Sequence, residues 1–369
     1  MSLIPLVDLS AQHAAVADEV AQGWQEVLAK TAFIGGPQVA AFESEYAAFN
    51  GVPHCVGMAN GTDAIEIALR ALGVGAGDEC ILPANTFIAT AEAVCRAGAT
   101  PVLVDCADDD TYLIDVDAVE AAVTDRTRAI IPVHLYGQIA PVERLAPLAN
   151  RIGAWILEDA AQAQGARRQG LAAGTVGDAA ATSFYPGKNL GAYGDAGAML
   201  TKSDQVVARA RMIRDHGSAR KYEHEVLGVN SRLDTLQAVV LSAKLRRLPA
   251  WNDARRDAAA RYDALLSGFS QVVLPRTLEA NEHVWHLYVV RVPDRDRVLK
   301  ELHAAGIGAG IHYPQPIHLT PAFATLRYQQ GAFPVAERIC PELLSLPIFA
   351  EITEEQQERV VSVLAAALP

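Results

Sequence analysis

Ala154-Trp155-Ile156-Leu157-Glu158-Asp159, running on into Ala160-Ala161-Gln162, and then Ser183-Phe184-Tyr185-Pro186-Gly187-Lys188-Asn189-Leu190-Gly191-Ala192-Tyr193-Gly194-Asp195-Ala196-Gly197, are the stretches whose reading decides the fold. An apolar run of strand length closed by two carboxylates is a buried strand emptying into a crevice, because ionised groups are too costly to keep inside the sheet. Ligands of open α/β sheets bind outside the carboxyl ends of the strands. About 30 residues further on, Lys188 stands on a glycine-bracketed aromatic loop that holds it in place. A lone lysine is ordinarily a solvated surface group. One strand away from a crevice carboxylate, an amine with a depressed pKa can form a Schiff base with a carbonyl. Asp159 can keep a pyridine nitrogen protonated while Lys188 carries an aldehyde. Those are the two groups that pyridoxal 5′-phosphate (PLP) needs.

Outward from this pair, short apolar runs alternate with helical stretches. The runs are Cys80-Ile81-Leu82, Pro101-Val102-Leu103-Val104, Ala129-Ile130-Ile131-Pro132-Val133, Trp155-Ile156-Leu157 and Ala179-Ala180-Ala181-Thr182. Helical patterns fall near 62–73, 87–98, 115–124 and 141–152. The alternation predicts an α/β fold with a mostly parallel sheet covered on both faces. Before it, Ser10 is expected to cap one amphipathic helix reaching Lys30, with a second helix after the break at Ile34-Gly35-Gly36-Pro37. After it, helices are expected on both sides of a polar loop, Gly217 to Asn230, followed by a smaller α/β unit. The expected division is 1–248, a large domain, and 249–369, a small one.

The chain has 369 residues, 51% hydrophobic and 20% charged, enough for a sizeable core. A net charge of −12 argues against a nucleic-acid or anionic-membrane surface. No stretch has the length of a membrane span. Five scattered cysteines make neither a disulfide framework nor a CxxC pattern. With no basic-then-apolar leader, the reducing cytoplasm is the expected compartment.

Several other motifs bear on chemistry. Asn60-Gly61-Thr62-Asp63 opens a helix, with Thr62 or Asp63 expected to cap it and Gly61 letting backbone amides approach an anion. Gly73-Val74-Gly75-Ala76-Gly77 and Gly306-Ile307-Gly308-Ala309-Gly310 lack GxGxxG and read as turns, against a dinucleotide enzyme. Asp159 and Gln162 are expected to share a face on a first helical turn. Ser183 can add a phosphate hydrogen bond, and Phe87, after a strand, can lie on a planar ligand. His134 and the cluster His312-Tyr313-Pro314 to His318 lack metal spacing with a carboxylate, so no metal is expected. Tyr185, Tyr313 and His318 are candidate substrate contacts. Arg220-Lys221-Tyr222 is a basic-aromatic patch on an acidic chain, a candidate diphosphate holder.

Phe33-Ile34-Gly35-Gly36-Pro37, Asn60-Gly61-Thr62-Asp63-Ala64, Glu158-Asp159-Ala160-Ala161-Gln162, the Lys188 loop, Asn230-Ser231-Arg232-Leu233 and Gly308-Ala309-Gly310-Ile311-His312-Tyr313-Pro314 occur in this order. Together they resemble the DegT–StrS family of PLP-dependent nucleotide-sugar aminotransferases, over essentially the whole chain. The resemblance implies the aspartate-aminotransferase type fold and a homodimer whose two sites straddle the interface. It makes Lys188 the Schiff-base lysine, Asp159 the partner of the pyridinium, Gln162 a contact on the ring side and Phe87 its stacking face. Gly61, Thr62 and Ser183 would hold the phosphate, with Asn230 contributed across the interface. It further implies glutamate as amino donor and a nucleotide-linked keto-deoxysugar, most often thymidine-diphosphate linked, as acceptor. The wording of the lysine loop and of Gly308 to Pro314 is closer to members acting at carbon 3. Amination at carbon 4, a cyclitol- or aminobenzoate-forming member, a non-catalytic regulator and a cofactor-free lysine lyase are the alternatives.

Overall fold

The strand-length runs resolve into one seven-stranded sheet and three two-stranded ribbons across residues 3–369, which the computed structural model describes. In chain order the strands are β1 (His54–Met58), β2 (Glu79–Pro83), β3 (Thr100–Val104), β4 (Thr127–Ile130), β5 (Trp155–Asp159), β6 (Arg167–Arg168) and β7 (Ala179–Ser183). They continue with β8 (Gly197–Thr201), β9 (Ser218–Arg220), β10 (Glu223–His224), β11 (Asn281–Glu282), β12 (Tyr288–Arg291) and β13 (Leu343–Leu346). The large sheet is ordered β1-β8-β7-β5-β4-β2-β3. From β3 to β7 every pairing is parallel, whereas β8 runs antiparallel to both β7 and β1. β1 therefore points the same way as the parallel strands, and β8 alone is reversed.

Both faces of this sheet are covered, which explains why its strands read as near-continuous apolar runs. Cys80 and Leu82 of β2 enter one core cluster while Ile81 enters another; Leu157 and Ile156 of β5 divide in the same way. That is the period-2 alternation of a strand with core on either side. The expected helices are present as Gly61–Ala71, Ile88–Arg96, Val116–Ala121 and Val142–Ile152.

The carboxy-terminal helices Leu248–Leu266, Arg295–Ala304 and Glu354–Ala367 build a further core with β12 and β13. Position 248, where a boundary is expected, is the first residue of one of these helices. The start of the chain crosses that boundary: Ile4 bridges to Ile307 and is buried in the carboxy-terminal core.

Three local expectations are corrected. The first helical run is two helices, Leu9–Ala14 and Ala17–Lys30, and Asp8 rather than Ser10 caps the first by accepting from Ser10 and Ala11. The helix after β1 is capped by Asn60, whose side chain accepts from the Asp63 N–H, and not by Thr62 or Asp63. Gln162 lies in turns rather than on a helix, because Gly165 at φ +89° and the carbonyl-to-amide turns at Ala160–Ala163 and Ala163–Ala166 fold the chain back at once.

Candidate active site

The single reversed strand decides where the lysine goes. The chain leaves the carboxyl end of β7 at Ser183 and re-enters the sheet at the amino end of β8, Gly197, so the intervening loop stays at one edge. That edge is also where β1, β2, β4 and β5 end. Phe184, Leu190 and Ala192 are buried and anchor the loop from below. Ala192 N–H donates to the Phe184 carbonyl at 2.8 Å, and the Lys244 ammonium donates to the Gly191 carbonyl at 2.7 Å. Lys188 is thereby held at the wall of a cavity of about 620 Å³.

Asp159, the last residue of β5, is buried in the same cavity. Its Oδ2 accepts from the Thr90 hydroxyl at 2.8 Å and its Oδ1 from the Ala161 N–H at 3.1 Å. Burial raises its pKa, opposed by those two hydrogen bonds and by the Lys188 charge. Desolvation pulls Lys188 in the other direction, down to about 8, with Asp159 resisting. The amine therefore gives up its proton more readily than an ordinary lysine, and Asp159 faces the cavity with acceptor capacity to spare.

Beside them, Gln162 is locked from both ends. Its Oε1 accepts from the Tyr136 N–H at 2.6 Å and its Nε2 donates to the Tyr313 hydroxyl at 3.2 Å. Tyr313 in turn lies with its ring 5.2 Å from that of Phe87. Glu158, pointing to the opposite face of β5, accepts from Gly174 and Gly177 and pairs with buried His134 at 2.8 Å. Those are sheet and loop contacts, outside the cavity lining.

On the far wall, the helix Gly61–Ala71 aims its amino terminus into the cavity. Asn60 consumes the N–H groups of Asp63 and Ala64, and the first N–H groups of a helix, here those of Gly61 and Thr62, have no partner within it. A Cβ on Gly61 would stand 2.6 Å from Ser183 Cβ, and one on Gly197 would stand 2.4 Å from the Asn60 carbonyl. Only glycines allow the helix end to press against β7 and β8 this closely. The result is an anion cradle of backbone N–H groups, the Thr62 and Ser183 hydroxyls and a favourable dipole.

Of the residues singled out from the sequence, Gly61, Thr62, Phe87, Asp159, Gln162, Ser183, Tyr185, Lys188 and Tyr313 line this one cavity. His318, expected to contact substrate, does not. Its ring is buried against Phe333 at 4.8 Å, and its Nε2 is held by Glu337 at 2.9 Å. Arg220, Lys221 and Tyr222 also fall outside the lining, on the exposed hairpin of β9 and β10, and Asn230 is exposed just beyond it. The sequence reading missed Thr90, which tethers Asp159, and the cavity residues His286 and His312.

PLP fits this set of residues. Buried Asp159 can accept from a cationic N–H, the glycine-lined cradle suits a phosphate, and a lysine with lowered pKa lines the same cavity. The comparisons with known proteins agree. The DegT/DnrJ/EryC1/StrS aminotransferase family profile matches residues 15–365. A "pleiotropic regulatory protein" from Geobacillus stearothermophilus is 48% identical over 98% of this chain and 98% of its own. A UDP-N-acetyl-3-dehydro-α-D-glucosamine 3-aminotransferase from Acidithiobacillus ferrooxidans is 46% identical over 99% of this chain and 98% of its own. Among solved structures, DesV from S. venezuelae, in complex with a ketimine intermediate, superposes with a TM-score of 0.96 at 43% identity, covering 99% of this chain and 98% of that one. Family profile, near-full-length relatives and site geometry converge: this chain belongs to the DegT/DnrJ/EryC1/StrS aminotransferase family.

Proposed function

We propose that the protein is a PLP-dependent aminotransferase that moves an amino group from glutamate to a keto group of a nucleotide-linked sugar, at carbon 3. The observation that carries this reading is the pairing of Lys188, its pKa near 8, with buried Asp159 across one cavity from a helix amino terminus. Bound PLP supplies an aldehyde for a lysine and, while its ring nitrogen stays protonated, an electron sink. Asp159 holds the proton on that nitrogen, and Thr90 and Ala161 hold Asp159. Gly61, Thr62 and Ser183 bind the phosphate. Gln162 contacts the ring side, and the exposed face of Phe87 orients the ring. Leu6, Ile65, Val133 and Leu287 line the remaining wall and keep water out. Lys188, as a free amine, would move a proton at the donor's α carbon and later at the sugar carbon that becomes aminated.

Lys188 is the only Lys or Arg among the described residues that line the cavity, so the cations that grip two phosphates come from elsewhere. A homodimer meets this need by bringing the exposed hairpin of a second copy, with Arg220, Lys221 and Tyr222, and with Asn230, over the cavity mouth. Tyr185, 60% exposed at that mouth, and Tyr313 are the candidate sugar contacts. All five cysteines are free, which suits a reducing cytoplasm. The relative named for regulation gives a second reading, a binding protein without turnover. A regulator has no need of an amine poised to deprotonate, so the residues favour catalysis.

Purified protein is expected to bind PLP with an absorbance band near ~400 nm, as lysine-bound PLP gives, and to lose that band in Lys188→Ala. Thymidine- and uridine-linked sugars with a keto group at carbon 3 or at carbon 4, offered with glutamate, then test the acceptor by mass and NMR of the product. Amination of the 4-keto sugars alone overturns carbon 3. PLP binding without turnover on any of them moves the cyclitol- or aminobenzoate-forming alternative to the front.

A further inference from the structure

Tyr136 does not line the cavity, yet each of its polar groups is spent on a residue that does. Its N–H donates to Gln162 Oε1 at 2.6 Å, its carbonyl accepts from the Leu287 N–H at 3.2 Å, and its phenol donates to the His312 carbonyl. Those three partners come from separate stretches of chain: the turn after β5, the run into β12, and the loop that carries Tyr313. Tyr136 is buried, with its ring 5.4 Å from that of Tyr112. Its φ is +60°, a conformation that bulky residues rarely adopt and that persists only where the surroundings impose it. Gly137, the next residue, is pressed against the same wall, since a Cβ there would stand 2.8 Å from the His286 nitrogen.

These bonds fix the direction of a further one. A backbone N–H only donates, so the Gln162 atom facing Tyr136 is its oxygen and the atom facing Tyr313 is its amino group. The Tyr313 oxygen therefore accepts, at 3.2 Å, and its own hydrogen is left over. Among the described residues that hydroxyl donates to no protein acceptor. Burial and then the Asp159 charge raise the Tyr313 pKa, so the hydrogen stays on the oxygen. The ring lines the cavity beside Phe87 and the tail of Gln162.

We propose that Tyr136 is the positioning residue of Tyr313: by orienting Gln162 and holding the His312 carbonyl, it keeps the Tyr313 hydroxyl available to the cavity as a hydrogen-bond donor. The acceptor it serves is an oxygen of the bound ligand, either of PLP or of the sugar. A phenol that already accepts from Gln162 discriminates for such an oxygen, because a ligand group that could only donate would find one lone pair spent and a hydrogen in its way. The inference rests on the proposed function for the identity of the ligand, but the order of the hydrogen bonds can be tested without it.

Carbon-13 NMR of tyrosine-labelled apoprotein reads the order of the bonds, through the Cζ atom that carries the Tyr313 hydroxyl. Its resonance is expected to move in Gln162→Glu, where a carboxylate can only accept and draws the Tyr313 hydrogen onto itself. It is expected to move also in Tyr136→Phe, which releases the His312 carbonyl. A Tyr313 signal indifferent to both variants overturns the proposal. Ligand binding reads the consequence. Tyr313→Phe is expected to weaken one ligand about threefold to tenfold. That ligand is PLP, by equilibrium titration, if the acceptor oxygen belongs to the cofactor. It is the nucleotide sugar, by a raised KM with PLP affinity unchanged, if the oxygen belongs to the sugar. Tyr136→Phe is expected to weaken the same ligand, and to add less than about twofold in the Tyr313→Phe background, because it acts through Tyr313. Unchanged binding of both ligands in Tyr313→Phe, losses that multiply in the double variant, or a Tyr136→Phe effect confined to thermal stability each refute it. A wild-type protein that takes up no PLP refutes the functional reading, and the apoprotein spectra still decide the bond order.

Discussion

A buried carboxylate is worth having in the site only while it stays charged, and at Asp159 the Thr90 hydroxyl is the largest influence that holds the pKa down, ahead of the Ala161 N–H and the Lys188 charge. Thr90→Val preserves shape and removes the donor to Oδ2. A hydrogen bond to a charged group contributes about 1.5–3 kcal/mol, so PLP is expected to bind roughly 10- to 100-fold more weakly by equilibrium titration. Because the hydroxyl lowers the Asp159 pKa, its loss raises that pKa, and the acid limb of activity moves to higher pH. An unmoved limb contradicts this account. Lys188 supplies the matching prediction on the alkaline side. With its pKa near 8, PLP capture by apoprotein is expected to accelerate about tenfold per pH unit below that value and to level off above it. A rate still climbing beyond pH 10 would show an ordinary lysine. Lys188 and Asp159 were legible in the sequence because each stands in a local pattern, a glycine-bracketed loop and the end of an apolar run. Thr90 and His286 were not, since each is brought to the site by packing across long stretches of chain and carries no local mark.

At the level of elements, the parallel strands could be read from their apolar runs, yet β1 and β8 were missed. β8 is Gly197-Ala198-Met199-Leu200-Thr201, and β1 is His54-Cys55-Val56-Gly57-Met58, short runs diluted by glycine. Their glycines serve contact rather than strand propensity: a Cβ on Gly57 would come within 2.8 Å of Leu233 Cβ, and Gly197 meets the Asn60 carbonyl. Missing β8 meant missing the reversal that keeps both ends of the lysine loop at one edge. Gly197→Ala is expected to cost about 1–3 kcal/mol in denaturant unfolding and to weaken phosphate binding, because its methyl meets backbone that has no rotamer to escape into. Gly268→Ala, where a Cβ meets nothing within 4 Å, should leave the unfolding midpoint in place. Equal midpoints for the two variants would show that the close approach of helix and sheet is not tight.

For the whole molecule, the exposed hairpin is the feature that a single chain leaves unexplained, with Tyr222 at 79% and Leu227 at 90% exposure. Sedimentation is expected to give a dimer, and Arg220→Ala with Lys221→Ala to raise KM for the nucleotide sugar while leaving PLP uptake intact. A fully active monomer would refute this arrangement. The attachment of Ile4 to Ile307 has a different consequence, one that concerns time. Ile4 N–H donates to the Gly306 carbonyl and Gly308 N–H to the Ile4 carbonyl, while the next residues, Leu6 and Val7, wall the cavity. On a ribosome adding about 5–20 residues per second, Ile4 emerges tens of seconds before its partner exists. The large sheet can assemble in that interval with its cavity open on one side. The wall closes only when the last third of the polypeptide arrives, so a cofactor the size of PLP has an open door throughout synthesis and a narrower one afterwards.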